Sequence, residues 1–303
     1  MKSVSQYLKY IKMPDACLQE IGQCEICGCA NFLVVRETVI VLNGIRAPIR
    51  VGACTRCGYL SQIDRFSDEF YAQYYTNSYR SIISGKSTPT EIFLQDQVHR
   101  GYYLFQNISK FIPKAGHLFD VGCGSGGFLV AFQHNGWHVQ GIDPDRGAVE
   151  MGIERFGFDI QLSVAETMDL QDNSIDLILI AGSLEHVANP NQVLQLCRKA
   201  LHPGSLILIE GWGLAQARLV GGFGHNQKRY LTCDSIRMLL LKNGFDVEAI
   251  TEEPLCGPTR PNSIFGLGRC RPDFLSEIPE IEFLPRNLDM TALCNHLSSL
   301  GIK

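Results

Sequence analysis

Leu118-Phe119-Asp120-Val121-Gly122-Cys123-Gly124-Ser125-Gly126-Gly127-Phe128 is the stretch that decides the architecture of this chain. An apolar run ends in an acid, glycines follow at alternate positions, and an apolar run resumes. Glycine is required where the backbone takes positive φ, or where a ligand passes too close for a Cβ. The stretch therefore predicts a strand, a tight turn and a helix whose first amides face whatever lies across the turn. From residue 117 to about residue 250 strand and helix patterns alternate, which predicts an α/β fold: a mostly parallel, Rossmann-like sheet with helices on both faces.

Two ligand classes compete for such a turn, because Gly122, Gly124 and Gly127 also satisfy the dinucleotide pattern G-x-G-x-x-G. Asp120 shifts the balance. A carboxylate at the end of the strand repels a pyrophosphate but favours a cationic amino-acid moiety. S-adenosylmethionine carries an ammonium and a sulfonium and no phosphate. Asp143 ends the second strand pattern, Val139-Gln140-Gly141-Ile142-Asp143, where a carboxylate suits ribose hydroxyls in either reading.

Asp120 through Gly126 resembles the D-x-G-x-G-x-G motif of class I S-adenosylmethionine-dependent methyltransferases. Asp143-Pro144 is similar to their ribose site, and Ala165-Glu166-Thr167-Met168 to the segment that flanks adenine. Asp176-Leu177-Ile178-Leu179-Ile180 looks like their fourth strand, with Ser183-Leu184-Glu185-His186-Val187 after it. Leu201-His202-Pro203-Gly204 leading to Ile209 looks like the turn and fifth strand. The resemblance implies that Asp120, Gly122, Cys123, Gly124, Gly126, Asp143, Pro144, Ala165, Glu166 and Ala181 bind the cofactor. The Asn/Asp-Pro-Pro-Tyr/Phe signature of nucleobase amino-methyltransferases is replaced by Ala181-Gly182-Ser183-Leu184, which argues against DNA as acceptor.

Twelve cysteines occur among 303 residues, and five of them cluster. Cys24-Glu25-Ile26-Cys27 and Cys54-Thr55-Arg56-Cys57 are two C-x-x-C knuckles. Each knuckle brings two thiolates to adjacent corners of a tetrahedron, so the pair predicts a closed four-cysteine zinc site. With no open position, that metal would be structural. Cys29 is a bystander or an alternative ligand. Phe32-Leu33-Val34-Val35, Glu37 to Leu42 and Ala47 to Val51 read as strands, with Asn43-Gly44 as a hairpin turn. A ribbon of this kind before a class I core resembles a bacterial group associated with sugar and natural-product methylation, including zinc-containing sugar C-methyltransferases. That group carries a further carboxy-terminal domain, for which these residues leave no room. Its catalytic carboxylate–histidine pair is also not seen in Gly224-His225-Asn226, so C-methylation is not carried over.

The expected organisation is an N-terminal helix (1–20), a zinc ribbon (21–62), a helical linker or substrate cap (63–110), the methyltransferase domain (111–252) and a C-terminal extension (253–303) that is mostly irregular with one closing helix. Phe66, Phe70, Tyr71, Tyr74, Tyr75 and Tyr79 fall at helical spacing, which suits core packing or a lid over the pocket. His186 follows the fourth strand, beyond the carboxyl end where open α/β sheets bind ligands, and is the leading general base. His225, Arg229 and Tyr230 lie in a glycine-rich stretch expected to be a mobile loop near the acceptor, with His225 a second catalytic candidate.

The net charge is −4, and lysines and arginines do not cluster around the ribbon. This argues against nucleic acid and for a small-molecule acceptor, such as a sugar nucleotide or a precursor of a polysaccharide or secondary metabolite. No apolar run is long enough to span a membrane, and the start lacks a secretory pattern, so a cytoplasmic location is expected. Rival readings are an RNA or protein methyltransferase that grips its target through the ribbon, a nicotinamide oxidoreductase, and a non-catalytic cofactor-binding protein. The sequence leaves the oligomeric state open.

Overall fold

A computed structural model describes residues 4–13, 15–41, 46–112, 114–212, 223–272, 290–299 and 301–302. Its centre is a seven-stranded sheet. In chain order the strands are β1 (His117–Val121), β2 (His138–Asp143), β3 (Asp159–Leu162), β4 (Ile175–Ala181), β5 (Leu201–Trp212), β6 (Phe245–Thr251) and β7 (Ser263–Cys270). Their spatial order is β3-β2-β1-β4-β5-β7-β6. The first five run parallel, and β7 lies antiparallel to both β5 and β6. Ile178, Leu179 and Ile180 of β4 are fully buried, as expected for a central strand covered by helices on both faces. This is the Rossmann-like methyltransferase fold anticipated from the glycine turn.

Strand β7 was not anticipated, since the segment beyond Pro254 reads as irregular. Its glycines mislead. A Cβ on Gly266 would sit 2.3 Å from Ile236, and one on Gly268 would sit 2.8 Å from Leu240. Glycine is needed there because the helix Cys233–Lys242 lies directly on the strand. The closing helix is found at Met290–Ser299.

The N-terminal third does not stand apart from this sheet. Helix Val4–Tyr10 buries Tyr7 and Leu8 against Phe66, Phe70, Tyr71 and Tyr74. Strands Phe32–Arg36, Val51–Cys54 and Leu60–Gln62 form a small antiparallel sheet. Its fourth strand is Arg229–Tyr230, which comes from beyond β5 and pairs with Ser61 and Leu60. Val39–Ile40 pairs separately with Arg46–Ala47, and the expected turn at Asn43-Gly44 lies outside the described residues. Helix Glu91–Ile108 then crosses to the sheet, opened by Thr90, whose side chain accepts from the Phe93 amide at 3.2 Å. It packs so closely on helix Gly127–His134 that a Cβ on Gly101 would meet the Phe128 backbone at 2.8 Å.

Candidate active site and thiol cluster

The glycine turn sits at the carboxyl end of β1. Gly122, Gly124 and Gly126 have φ of +78°, +57° and +74°, a region that side chains with a Cβ disfavour. The helix that follows carries no side-chain cap. Asp143, at the end of β2, folds back over the turn and accepts from the Gly124 amide at 2.7 Å and the Asp145 amide at 2.8 Å. Burial raises its carboxyl to about 6. Asp120 is buried beside it, and burial, then the charge of Asp143, raise its carboxyl to about 8. Its Oδ1 has no hydrogen-bond partner among the described residues. Two buried acids around an uncapped glycine turn disfavour a diphosphate and fit a cationic, hydroxyl-bearing ligand.

The other expected cofactor residues converge on the same edge. Ala165 and Glu166 lie in the short helix Ala165–Thr167 after β3, and Glu166 accepts from the amides of Ala188 and Asn189. Ala181 ends β4, beside Gly182 at φ +69°. Pro144 follows β2, and Cys123 is buried within the turn. Above them lies the aromatic segment, and it divides into two parts. Phe66, Phe70, Tyr71 and Tyr74 are core. Tyr75 packs its ring 5.2 Å from Tyr79 and 6.0 Å from His186. Arg80 pairs with Asp145 at 2.6 Å, so this segment covers the end of β2.

His186 donates its Nδ1–H to the Asn226 carbonyl at 2.7 Å, because a carbonyl can only accept. That bond leaves Nε2 with the lone pair. Burial lowers the imidazole to about 4, so it is neutral at physiological pH and a weaker base than a free imidazole, with the Nε2 lone pair open to a proton donor.

His225 is placed differently from expectation. It is buried, with Tyr7 Oη 3.0 Å from Nδ1 and Tyr74 Oη 3.4 Å from Nε2. The stretch from Phe223 onward is therefore no exposed loop; residues 213–222 lie outside the described part. Arg229 and Tyr230 are likewise buried. The ribbon sheet that claims them pairs residues about 170 positions apart, which no local pattern reveals.

Sequence reasoning also missed a charged cluster at the carboxyl end of β5. Glu210 is fully buried, accepts from Ser263, and faces Arg260 at 3.3 Å and Arg100 at 3.8 Å. Arg260 stacks 4.2 Å from the Trp212 ring and reaches over Gly182, where a Cβ would lie 2.5 Å from its Nη2. Glu185 accepts from the Trp212 amide at 2.6 Å, and burial raises its carboxyl to about 7. One signal was available: Glu210 closes an apolar strand, as Asp120 and Asp143 close theirs.

The two knuckles meet. The sulfurs of Cys24, Cys27, Cys54 and Cys57 all lie within 4.8 Å of one another, with Cys24–Cys57 at 3.6 Å and Cys27–Cys54 at 3.5 Å. A tetrahedral zinc with bonds of about 2.3 Å needs sulfur–sulfur edges of about 3.8 Å, so the donor set fits. The knuckles share one backbone turn: the Gly28 amide donates to the Cys24 carbonyl and the Gly58 amide to the Cys54 carbonyl. Cys29 stands outside the cluster, 3.8 Å from the Thr55 hydroxyl.

Residues 119–209 match the protein family described as a methyltransferase domain. The chain is 24% identical over 155 residues to a mitochondrial ubiquinone biosynthesis O-methyltransferase of Rattus norvegicus, covering 44% of this chain and 45% of that protein. It is 32% identical over 100 residues to the corresponding protein of Maricaulis maris, covering 30% and 38%. This chain thus spans less than half the length of these relatives. Among solved structures, the 1,6-didemethyltoxoflavin-N1-methyltransferase of Burkholderia thailandensis superposes with a TM-score of 0.55 at 15% identity, over 78% of this chain and all of that one. That likeness shows the fold.

Proposed function

We propose that this protein is an S-adenosylmethionine-dependent methyltransferase of a small molecule, with a structural zinc in its N-terminal ribbon. The observation that carries the proposal is the pair of buried acids, Asp120 and Asp143, set around a turn of left-handed glycines within a methyltransferase-domain match. Asp143 would hold the ribose, the amides of the turn and the unpartnered Asp120 oxygen would face the amino-acid end, and Ala165 and Glu166 would flank the adenine. When bound, the cofactor supplies a methyl group on sulfonium, open to in-line displacement by the acceptor. The chain's own contribution is alignment.

The acceptor enters beyond β4 and β5, between Tyr75, His186 and the Arg260–Trp212 face. A hydroxyl acceptor delivers its proton to Nε2 of His186, the nitrogen left open by the Asn226 contact. The ubiquinone O-methyltransferases and the toxoflavin-precursor N-methyltransferase act on small molecules by name, which supports an acceptor of that size. Four thiols at tetrahedral spacing support the zinc, and with all four corners filled by protein it would take no part in the chemistry. Twelve cysteines, none of them in a disulfide, support a reducing, cytoplasmic setting. No helix among the described residues is long and apolar enough to cross a membrane. The test is transfer of label from methyl-labelled S-adenosylmethionine to a panel of sugar nucleotides, phenols and amines. Cofactor binding without turnover on any member would leave the chain a binding protein.

A further inference from the structure

The Lys228-Arg229 dipeptide captures every carbonyl of the turn that carries His186. Arg229 Nη1 donates to the Leu184 carbonyl at 2.5 Å and the Val187 carbonyl at 2.8 Å, and its Nη2 donates to that of Ala188 at 3.3 Å. The Lys228 amide donates to the Glu185 carbonyl at 2.8 Å, and the Lys228 ammonium to that of His186. Five consecutive carbonyls are thereby bound. The other edge of the same guanidinium meets Glu25, with Nε at 3.1 Å and Nη2 at 2.9 Å from its carboxylate.

Glu25 is the residue between Cys24 and Ile26 in the first knuckle. Its carboxylate also takes Arg65 at 2.5 Å and the Tyr59 hydroxyl at 2.8 Å. The knuckle backbone is stitched to the same domain. Lys242 donates to the carbonyls of Glu25 and Ile26, and Asn191 donates to that of Glu25. Arg229 is fully buried, and among its described hydrogen-bond partners Glu25 is the one carboxylate, beside three carbonyls. If Glu25 moves, that guanidinium has no second acid among its described partners, and its grip on the turn changes with it.

We infer that Glu25 and Arg229 are positioning residues through which metal loading of the ribbon sets the His186 turn. The ribbon is then a regulatory wall of the active site: zinc fixes the knuckle, the knuckle fixes Glu25, and Glu25 orients the arginine that holds residues 184–188. This rests on the zinc reading above and is independent of which acceptor is methylated.

Hydrogen exchange read by peptide separates the two claims, with the full chain at one zinc per chain as reference. The His186 amide donates to the Ser183 carbonyl and the Ala188 amide to Glu166, so protection of the 184–188 segment reports the turn. Glu25→Gln at full zinc content should exchange at least 10-fold faster at 184–188, with the β1 and β2 peptides unchanged. Glu25→Asp, which restores the charge, should fall between Gln and the native residue. Glu20→Gln, which breaks an exposed ion pair with Arg50 of the ribbon, should match the native chain. Removing zinc from the native chain with a chelator should loosen the same segment, and this needs no variant to fold. A zinc-loaded Glu25→Gln chain, or a zinc-stripped native chain, whose turn stays fully protected overturns the inference. A chain that binds no zinc overturns the ribbon reading instead.

Discussion

Replacing Asp143 separates the folding role of this carboxylate from its role in binding. In the native protein it accepts two amide hydrogen bonds, from Gly124 at 2.7 Å and Asp145 at 2.8 Å. Asp143→Ala leaves both amides unpaired, at about 1–3 kcal/mol each. Against this, burial holds the carboxyl up at about 6, so removing the charge at pH 8 relieves about 3 kcal/mol of desolvation. The two effects oppose, and the alanine variant should end between about 1 kcal/mol more stable and about 3 kcal/mol less stable than native. Asp143→Asn keeps one acceptor and sheds the charge, so at pH 8 it should equal the native chain or exceed it by up to about 2 kcal/mol. Because the folded pKa is raised, the native chain loses stability as pH climbs from the ordinary aspartate range through about 6, and the Asn chain does not. Affinity for S-adenosylhomocysteine should nevertheless fall in both variants by about 1.5–3 kcal/mol, roughly 10- to 150-fold. Thermal unfolding and titration calorimetry at pH 8 measure the two effects separately. A folded variant that binds S-adenosylhomocysteine as tightly as the native protein would refute the ribose assignment.

Three further outcomes are expected. His186→Ala should lower turnover about 10²-fold once an acceptor is in hand, while leaving S-adenosylhomocysteine binding intact; a near-native rate would make His186 a packing residue. His186 and His225 are both lowered to about 4 by burial, so the native state holds them neutral while the unfolded chain protonates near 6.5. Their contribution to stability is complete above about pH 6.5 and drains away as pH falls towards 4, which denaturant titrations between pH 4.5 and 7 will show as a slope that His225→Gln reduces. Cys57→Ser should abolish stoichiometric zinc and destabilise the N-terminal third, whereas Cys29→Ser should retain the metal in full, as read by metal analysis; equal loss in both would move Cys29 into the ligand set.

The parts of this fold that sequence made legible are those governed by local rules. The glycine turn, the acids closing β1 and β2, and the two knuckles each follow from a few adjacent residues. What was hidden depends on contacts far apart in the chain. Arg229–Tyr230 becomes a ribbon strand only because Leu60 and Ser61 offer an edge some 170 positions earlier. His225 reads as a loop histidine until Tyr7 and Tyr74 close over it. Gly266 and Gly268 look like breakers, although they let a helix lie on β7. Glu25 sits in plain sight within a C-x-x-C knuckle, but its partner Arg229 is visible only in three dimensions.

Calorimetry with S-adenosylhomocysteine and NADH on the same zinc-loaded protein tests the central claim most directly. The acids around the glycine turn require that S-adenosylhomocysteine bind stoichiometrically and that NADH give no heat of binding. Tight binding of NADH with none of S-adenosylhomocysteine would place a diphosphate over Gly122–Gly126 and contradict the assignment.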